Sequence, residues 1–235
     1  MKPRIVVIIQ ARLSSRRLPR KVLAELNGHA LLWHVLRRAL LIPGVAGVLL
    51  AMPRHTPADE VSAVVDDAVR AVQCVFPPVP EDDVLARYQW AAALAKADVI
   101  VRVTADCPWL DPQLSGRVLE RFLESGVEYC CNCGVHTTWA DGLDTEVFSR
   151  DALERACELV TDALDREHVG RWISQHCLRT TLPAPLNMGA CKWSIDREQD
   201  LRLARCMASY LRPADATDWQ ATMGAWTMAN QNGVT

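Results

Sequence analysis

Ile5-Val6-Val7-Ile8-Ile9-Gln10-Ala11-Arg12-Leu13-Ser14-Ser15-Arg16-Arg17-Leu18-Pro19-Arg20-Lys21 sets an apolar run directly against a basic one. Consecutive β-branched residues favour an extended chain, and the absence of alternation places both faces of that strand out of water. Residues Arg12 to Lys21 then carry five positive charges and no negative one, and the first acidic residue of the chain is Glu25. Guanidinium forks match phosphate oxygens in pairs, and a lysine adds a compact point charge. Backbone N–H groups and the Ser14 and Ser15 hydroxyls can fill the remaining acceptors. In an open parallel sheet, ligands bind beyond the carboxyl ends of the strands. The loop is therefore placed to hold a polyphosphate, although it lacks the glycines of a Walker A loop. A solvated basic loop is the plainer alternative.

Working outward, further apolar runs bounded by turn residues predict strands at 45–52, 73–76, 99–103 and 127–131, beside the first at 5–9. Helical patterns lie between them at 30–41, 58–71, 83–95 and 113–125. Strand and helix in alternation imply right-handed crossovers and an α/β fold with a mostly parallel sheet covered by helices on both faces. Past Gly134 the rhythm changes, with strands expected at 144–148 and 191–195 and helices at 150–159, 165–177 and 197–209. Leu182-Pro183-Ala184-Pro185 reads as a loop, since proline disfavours helical geometry in the residue before it. The expectation is one domain over 1–235 with an irregular second half.

Composition narrows the classes. The chain has 235 residues, 50% hydrophobic and 23% charged, with 26 basic residues against 28 acidic ones. A net charge of -2 argues against a general nucleic-acid binder, which needs a basic surface to displace counterions. There is no run of about 20 apolar residues, the length that spans a bilayer, so no membrane partner is expected. The first apolar run is too short for a secretory leader, which points to the cytoplasm. Nine cysteines are scattered rather than framework-like. Cys130-Cys131-Asn132-Cys133 invites a metal reading, but neighbours in an extended segment face opposite ways and no second pair completes a tetrahedral site. Buried thiols are the expectation there.

Several polar residues stand where chemistry would need them. Asp106, in Thr104-Ala105-Asp106-Cys107-Pro108, follows a buried strand, and Asp196 follows the predicted strand at 191–195 in the same manner. Magnesium is commonly held by one or two carboxylates plus substrate phosphates. Asp111 before Pro112 reads instead as a helix N-cap, and capping is also an alternative for Asp196. Glu81-Asp82-Asp83 opens a helix, where acidic residues complement the dipole. Arg87 stands one turn from Asp83, the spacing of an i,i+4 pair. Asp144 and Glu146 alternate on the predicted strand, so both would face one side. Glu167 and His168 add to that polar group, and an imidazole can take a proton from a sugar hydroxyl. Trp139 and Trp193 are candidates for a pocket lining.

Together these motifs carry a resemblance. Gln10-Ala11-Arg12-x-x-Ser15-x-Arg17-Leu18-Pro19-x-Lys21, Glu81-Asp82-Asp83-Val84-Leu85-Ala86-Arg87-Tyr88 and Arg102-Val103-Thr104-Ala105-Asp106-Cys107-Pro108 resemble the cytidylyltransferase family, which includes CMP-Kdo and CMP-sialic acid synthetases. Asp141-Gly142-Leu143-Asp144-Thr145-Glu146-Val147-Phe148, Arg166-Glu167-His168-Val169 and Lys192-Trp193-Ser194-Ile195-Asp196 bring the likeness closest to the spore-coat polysaccharide biosynthesis protein F branch. It covers residues 4 to about 205, in order.

The resemblance implies a glycosyltransferase-A-like nucleotidyltransferase fold, with Mg2+ as cofactor and CTP or another nucleoside triphosphate as donor. CMP would pass to an anionic sugar or phosphonate-type acceptor, with loss of pyrophosphate, in cell-surface polysaccharide or related biosynthesis. Residues 1–133 would form the nucleotide-binding half, 134–210 the acceptor-binding half and 211–235 a C-terminal tail. Ala11, Arg12, Ser14, Ser15, Arg17, Lys21, Asp83 and Thr104 would bind nucleotide, with Lys21, Arg17 and Asp106 catalytic and Asp106 and Asp196 on the metal. Asp144, Glu146, Glu167 and His168 would meet the acceptor. Two positions depart from the family pattern, which usually carries glycine where Ser14 stands and often where Arg20 stands; a left-handed backbone at Ser14 would be strained.

Two other classes stay open. A glycosyltransferase of similar fold would carry an Asp-x-Asp pair, yet Pro108 stands two residues after Asp106. A non-catalytic nucleotide-binding protein would be expected to have lost Asp106 or Lys21. The Trp-bearing tail (Trp219, Trp226) could cover a homodimer surface.

Overall fold

A computed structural model of the chain describes residues 2–66, 68–134, 138–211, 218–231 and 233. The opening apolar run forms β1 (Ile5–Gln10). A 3-10 turn at Lys21–Leu23, β2 (Glu25–Leu26), β3 (His29–Ala30), α1 (Leu31–Ala39), β4 (Gly47–Ala51), α2 (Ala58–Ser62) and β5 (Gln73–Val75) follow. Next come α3 (Val84–Ala95), β6 (Val99–Thr104), α4 (Pro112–Ser125), β7 (Tyr129–Cys131) and β8 (Glu146–Ser149). The chain continues through α5 (Arg150–Leu159), α6 (Ala163–Glu167), α7 (Val169–His176), β9 (Arg179–Thr181), α8 (Glu198–Tyr210) and α9 (Trp219–Gln231).

Seven strands make one sheet in the order β5-β4-β1-β6-β8-β7-β9, and β2 and β3 form a separate antiparallel ribbon. β1 is central, parallel to β4 on one side and to β6 on the other. β8 alone runs against its neighbours, β6 and β7. Alternation along β1 divides the interior: Ile5, Val7 and Ile9 join one core, Val6 and Ile8 the other. The first core is closed by α1, α4, α8 and α9, the second by α3, α5 and α7. This is the expected helix-covered, mostly parallel sheet. Truncating a residue such as Ile8 to alanine, fully buried here, belongs to a class of change that costs about 2–5 kcal/mol.

The differences from the sequence expectations have local causes. The helix expected over 58–71 stops at Ser62. Val64 and Val65 lose rotamer freedom in a helix, and the exposed Asp66 carboxylate accepts from Ala68 N–H and Trp33 Nε1, a local alternative to helical hydrogen bonding. The helix expected over 165–177 is broken at His168, whose backbone (φ -106°, ψ 76°) is not helical. Strand β8 begins at Glu146, so Asp144 lies ahead of it rather than on it. Segment 191–195 is not a strand. It meets the rest of the chain through an isolated bridge, Asp141 to Lys192, and through Ile195 N–H to the Asp106 carbonyl at 2.9 Å. β9 and α9 were not foreseen.

Cys130 and Cys131 face opposite cores, as adjacent residues in a strand must, and all nine cysteines are free thiols. Trp139 and Trp193 are buried in the first core rather than lining a pocket. Asp111 caps α4 through Gln113 and Leu114 N–H, and its second oxygen accepts from Trp219 N–H at the start of α9. One carboxylate thereby fixes two helices. Within the tail, Trp219 and Trp226 pack against the first core of the same chain.

Candidate active site

The loop leaving β1 bends back through the left-handed conformation of Arg20 (φ 57°). Position 20 is where the resemblance often sets a glycine, and glycine reaches that conformation without the Cβ penalty. Ser14, by contrast, has no positive φ. The bend aims Lys21 across the carboxyl end of the sheet. There its ammonium donates to Asp106 Oδ2 at 2.8 Å, Asp196 Oδ1 at 3.0 Å and the Ile195 carbonyl at 2.9 Å. Arg17 adds a contact to Asp196 Oδ1 at 2.8 Å. Burial alone would lower the Lys21 ammonium, but Asp106 and Asp196 outweigh it and hold the group above its ordinary value. Burial would likewise raise the Asp196 carboxyl; its contacts with Lys21 and Lys192 reverse that and lower it.

Asp196 is free for this role because α8 is capped by another residue. Asp200 accepts from the backbone N–H groups of Asp196 and Arg197, at 2.9 and 2.8 Å. Two aspartates that are 90 residues apart in sequence thus meet at one ammonium because segment 191–196 is stitched onto the Asp106 loop. Among the described residues, no three His, Cys, Asp or Glu side chains converge as a metal cluster.

A cavity of about 530 Å³ opens over these groups. Ala11, Arg12, Ser15, Arg17, Lys21, Thr104, Asp106, Asp144, Glu167, His168 and Asp196, all singled out by sequence, line it. Burial first, then the charges of Asp141, Glu146 and Asp106, push the Asp144 carboxyl up to about 7. Arg12 reaches across to Glu167 at 3.1 Å, tying the β1 loop to the end of α6.

Three residues expected in the site lie elsewhere. Asp83 is the N-cap of α3, accepting from Ala86 N–H at 3.0 Å, and its other oxygen pairs with Arg166 at 2.8 Å. Ser14 bonds Glu81 and faces a neighbouring hollow with Arg16 and Asp82. Glu146 is buried against Gly170, pairs with Arg102 and accepts from the Tyr129 hydroxyl at 2.6 Å. Of the two residues expected to alternate on one strand, Asp144 and Glu146, only Glu146 is on it.

Other residues line the cavity without having been given a role: Gln10, Arg16, Arg87, Arg102, Asp141 and Ser194. Arg87 is not the i,i+4 partner of Asp83; its guanidinium donates to the Pro80 and Glu81 carbonyls, at 3.2 and 2.6 Å. Arg102 could have been found from sequence. A charge inside Val99-Ile100-Val101-Arg102-Val103 is anomalous for a strand buried on both faces.

Comparisons with known proteins give the family and the fold. The family model described as cytidylyltransferase matches residues 6–197. An uncharacterised protein of Methanocaldococcus jannaschii is 32% identical over 173 residues, 74% of this chain and 68% of that one. A 3-deoxy-manno-octulosonate cytidylyltransferase of Bradyrhizobium diazoefficiens is 33% identical over 130 residues, 54% of this chain and half the length of that enzyme. Among solved structures, a cytidylyltransferase from Leptospira borgpetersenii superposes with a TM-score of 0.87 at 22% identity, covering 98% of this chain and 95% of that one. That last likeness speaks to the fold.

Proposed function

The chain belongs to the cytidylyltransferase family, a family of nucleotidyltransferase enzymes, and from that premise we propose that it transfers CMP from CTP to an anionic acceptor, with magnesium and release of pyrophosphate. Residues 1–133 would hold the nucleotide and 134–210 the acceptor. The observation that carries this reading is the meeting of Lys21, Asp106 and Asp196 at the mouth of the basic loop, inside the cavity.

The donors suit magnesium. Two carboxylates turn oxygens toward one point, which Lys21 Nζ marks at 2.8 and 3.0 Å, and magnesium is commonly held by one or two carboxylates with phosphates completing its shell. Bound to Asp106 and Asp196, the ion would supply Lewis acidity and a template for the reacting oxygens. The rest falls to the chain itself. Arg12, Ser15 and Arg17 hold the triphosphate in the loop. Lys21 and Arg17 meet the charge that builds on pyrophosphate as it leaves. Little covalent work is needed, so positioning and charge neutralisation supply the rate. On the acceptor side Asp144 and His168 face the same cavity, where either can orient the incoming oxygen.

The test is pyrophosphate release from CTP and magnesium across a panel of keto-sugar acids, sugar phosphates and phosphonates. Asp106→Asn is expected to lower turnover by about 10²–10³, by analogy with loss of one transition-state donor, with an unchanged circular-dichroism spectrum. Turnover like that of the unaltered chain would remove Asp106 from the reaction.

A further inference from the structure

The residues first expected to meet the acceptor are Asp144, Glu146, Glu167 and His168, three of which are carboxylates. Carboxylates do not recognise an anion; like charges brought together repel. The group that can do so is Arg87. It sits in the first turns of α3, only 1% exposed, and lines the cavity. Two backbone carbonyls accept from its guanidinium, yet no carboxylate pairs with it and its Nε has no partner. Burial depresses its pKa; the charges of Glu81 and Asp83 oppose that from a distance without forming an ion pair, and nearby Arg12 adds to the depression. A guanidinium buried without a direct ion pair is costly, and such charges are normally paired.

Arg87 is not alone. Gln10 and Thr104 are partners in the β1–β6 register, and Arg102 stands two residues before Thr104, so alternation sends Gln10 and Arg102 to the same face of the sheet. That is the face α3 covers, since the neighbouring Tyr88 hydroxyl donates to the Ile8 carbonyl at 2.9 Å. Gln10 Oε1 and Arg102 Nε are likewise buried without partners, and both residues line the same cavity. Three side chains, each with one unpartnered polar atom, therefore line the cavity from the α3 face, although Arg102 also pairs with Glu146 through its Nη1. Lys21, Asp106 and Asp196 already pair with one another elsewhere in its lining.

We propose that Arg87, with Gln10 and Arg102, forms a second oxyanion site that takes the carboxylate or phosphate group of the acceptor. This rests on the cytidylyl-transfer reading, in which the triphosphate occupies the Lys21 group and leaves Arg87 for the other substrate. Gln10 supplies a neutral amide beside the charge, so the ligand can carry a hydroxyl next to its anionic group.

Calorimetry on the full chain, saturated with CTP and Ca2+, tests this with two probes, pyruvate for a carboxylate and inorganic phosphate for a phosphate. One of the two is expected to bind the CTP-saturated chain. Arg87→Met should weaken that probe about 10- to 100-fold, the range for a lost charge-assisted hydrogen bond, while CTP affinity stays within about twofold. Arg87→Lys should recover part of the loss, because the charge remains and the fork does not. Gln10→Glu brings a counter-ion to the buried guanidinium, so it should raise the melting temperature and abolish probe binding. Failure of both probes to bind, an anion affinity unchanged in Arg87→Met, or a parallel loss of CTP affinity in that variant would each overturn the proposal. Failure of CTP itself to bind the unaltered chain would instead overturn the cytidylyl-transfer reading.

Discussion

At the scale of single residues, Lys21 decides how the site behaves. Its three N–H donors are matched by three acceptors, two of them carboxylates. Any cation that takes both Asp106 and Asp196 must therefore displace the ammonium. Lys21→Met should bind Mn2+ without nucleotide at least about tenfold more tightly than the unaltered chain, since one unit of competing charge is removed. The titration can be followed by electron paramagnetic resonance. Equal Mn2+ affinity in the two proteins would show that Lys21 does not compete. Asp144 offers a second test. Burial and neighbouring carboxylates raise it from an ordinary 3.8 to about 7, so folding favours its protonated form. That contribution to stability is complete below about pH 4 and is lost as pH rises through about 7. Asp144→Asn should therefore stabilise the fold at pH 8 by on the order of 1–2 kcal/mol, read as a higher melting temperature, with the gain fading toward pH 4. A gain of equal size at pH 5 and pH 8 would contradict the burial of that charge.

At the scale of elements, the site depends on loops that approach one another closely. Gly142 holds φ 110°, and a Cβ there would lie 2.6 Å from Ser194 N and 2.8 Å from the Trp193 carbonyl carbon. This contact holds segment 191–196 against the Asp141 turn, with Trp193 N–H and Ser194 N–H both donating to the Asp141 carbonyl. Gly142→Ala should cost more than about 2 kcal/mol, from the strained backbone and the clash together, read as a fall of about 4–8 °C in melting temperature. Activity should fall with it, because Asp196 is carried by the same segment. A melting temperature within 1 °C or so of the unaltered value, judged on that same scale, would mean that the turn relaxes freely. His168 shows the opposite economy of design: a break between α6 and α7 is what turns the side chain into the cavity.

At the scale of the whole molecule, the strands were the most legible feature. Unbroken Val/Ile content in β1 and β6 can only be reconciled with burial on both faces, and alternation with helices then implies the crossover architecture. Less regular pieces were hidden for physical reasons. β9, Arg179-Thr180-Thr181, has no apolar pattern because it is a sheet edge. Segment 191–195 has strand composition, but its donors go to loops. The Arg12–Lys21 loop and the two aspartates could be read from their positions after strands. What could not be read was which oxygens neighbours had already claimed: Glu146 by Arg102 and Tyr129, Asp83 by Ala86 and Arg166. Arg87 was hidden for the converse reason, since its burial without a direct ion pair shows only once α3 is laid on the sheet.

The β1 loop is held here to grip a triphosphate, and equilibrium binding of CTP and CMP, each with Ca2+, to the unaltered chain and to Lys21→Met measures that grip most directly. CTP is expected to bind at least about tenfold more tightly than CMP, the worth of one charge-assisted contact, and Lys21→Met should erase most of that preference while leaving CMP affinity as it was. Equal affinities for CTP and CMP in the unaltered chain, or a preference that survives the loss of Lys21, would contradict the account.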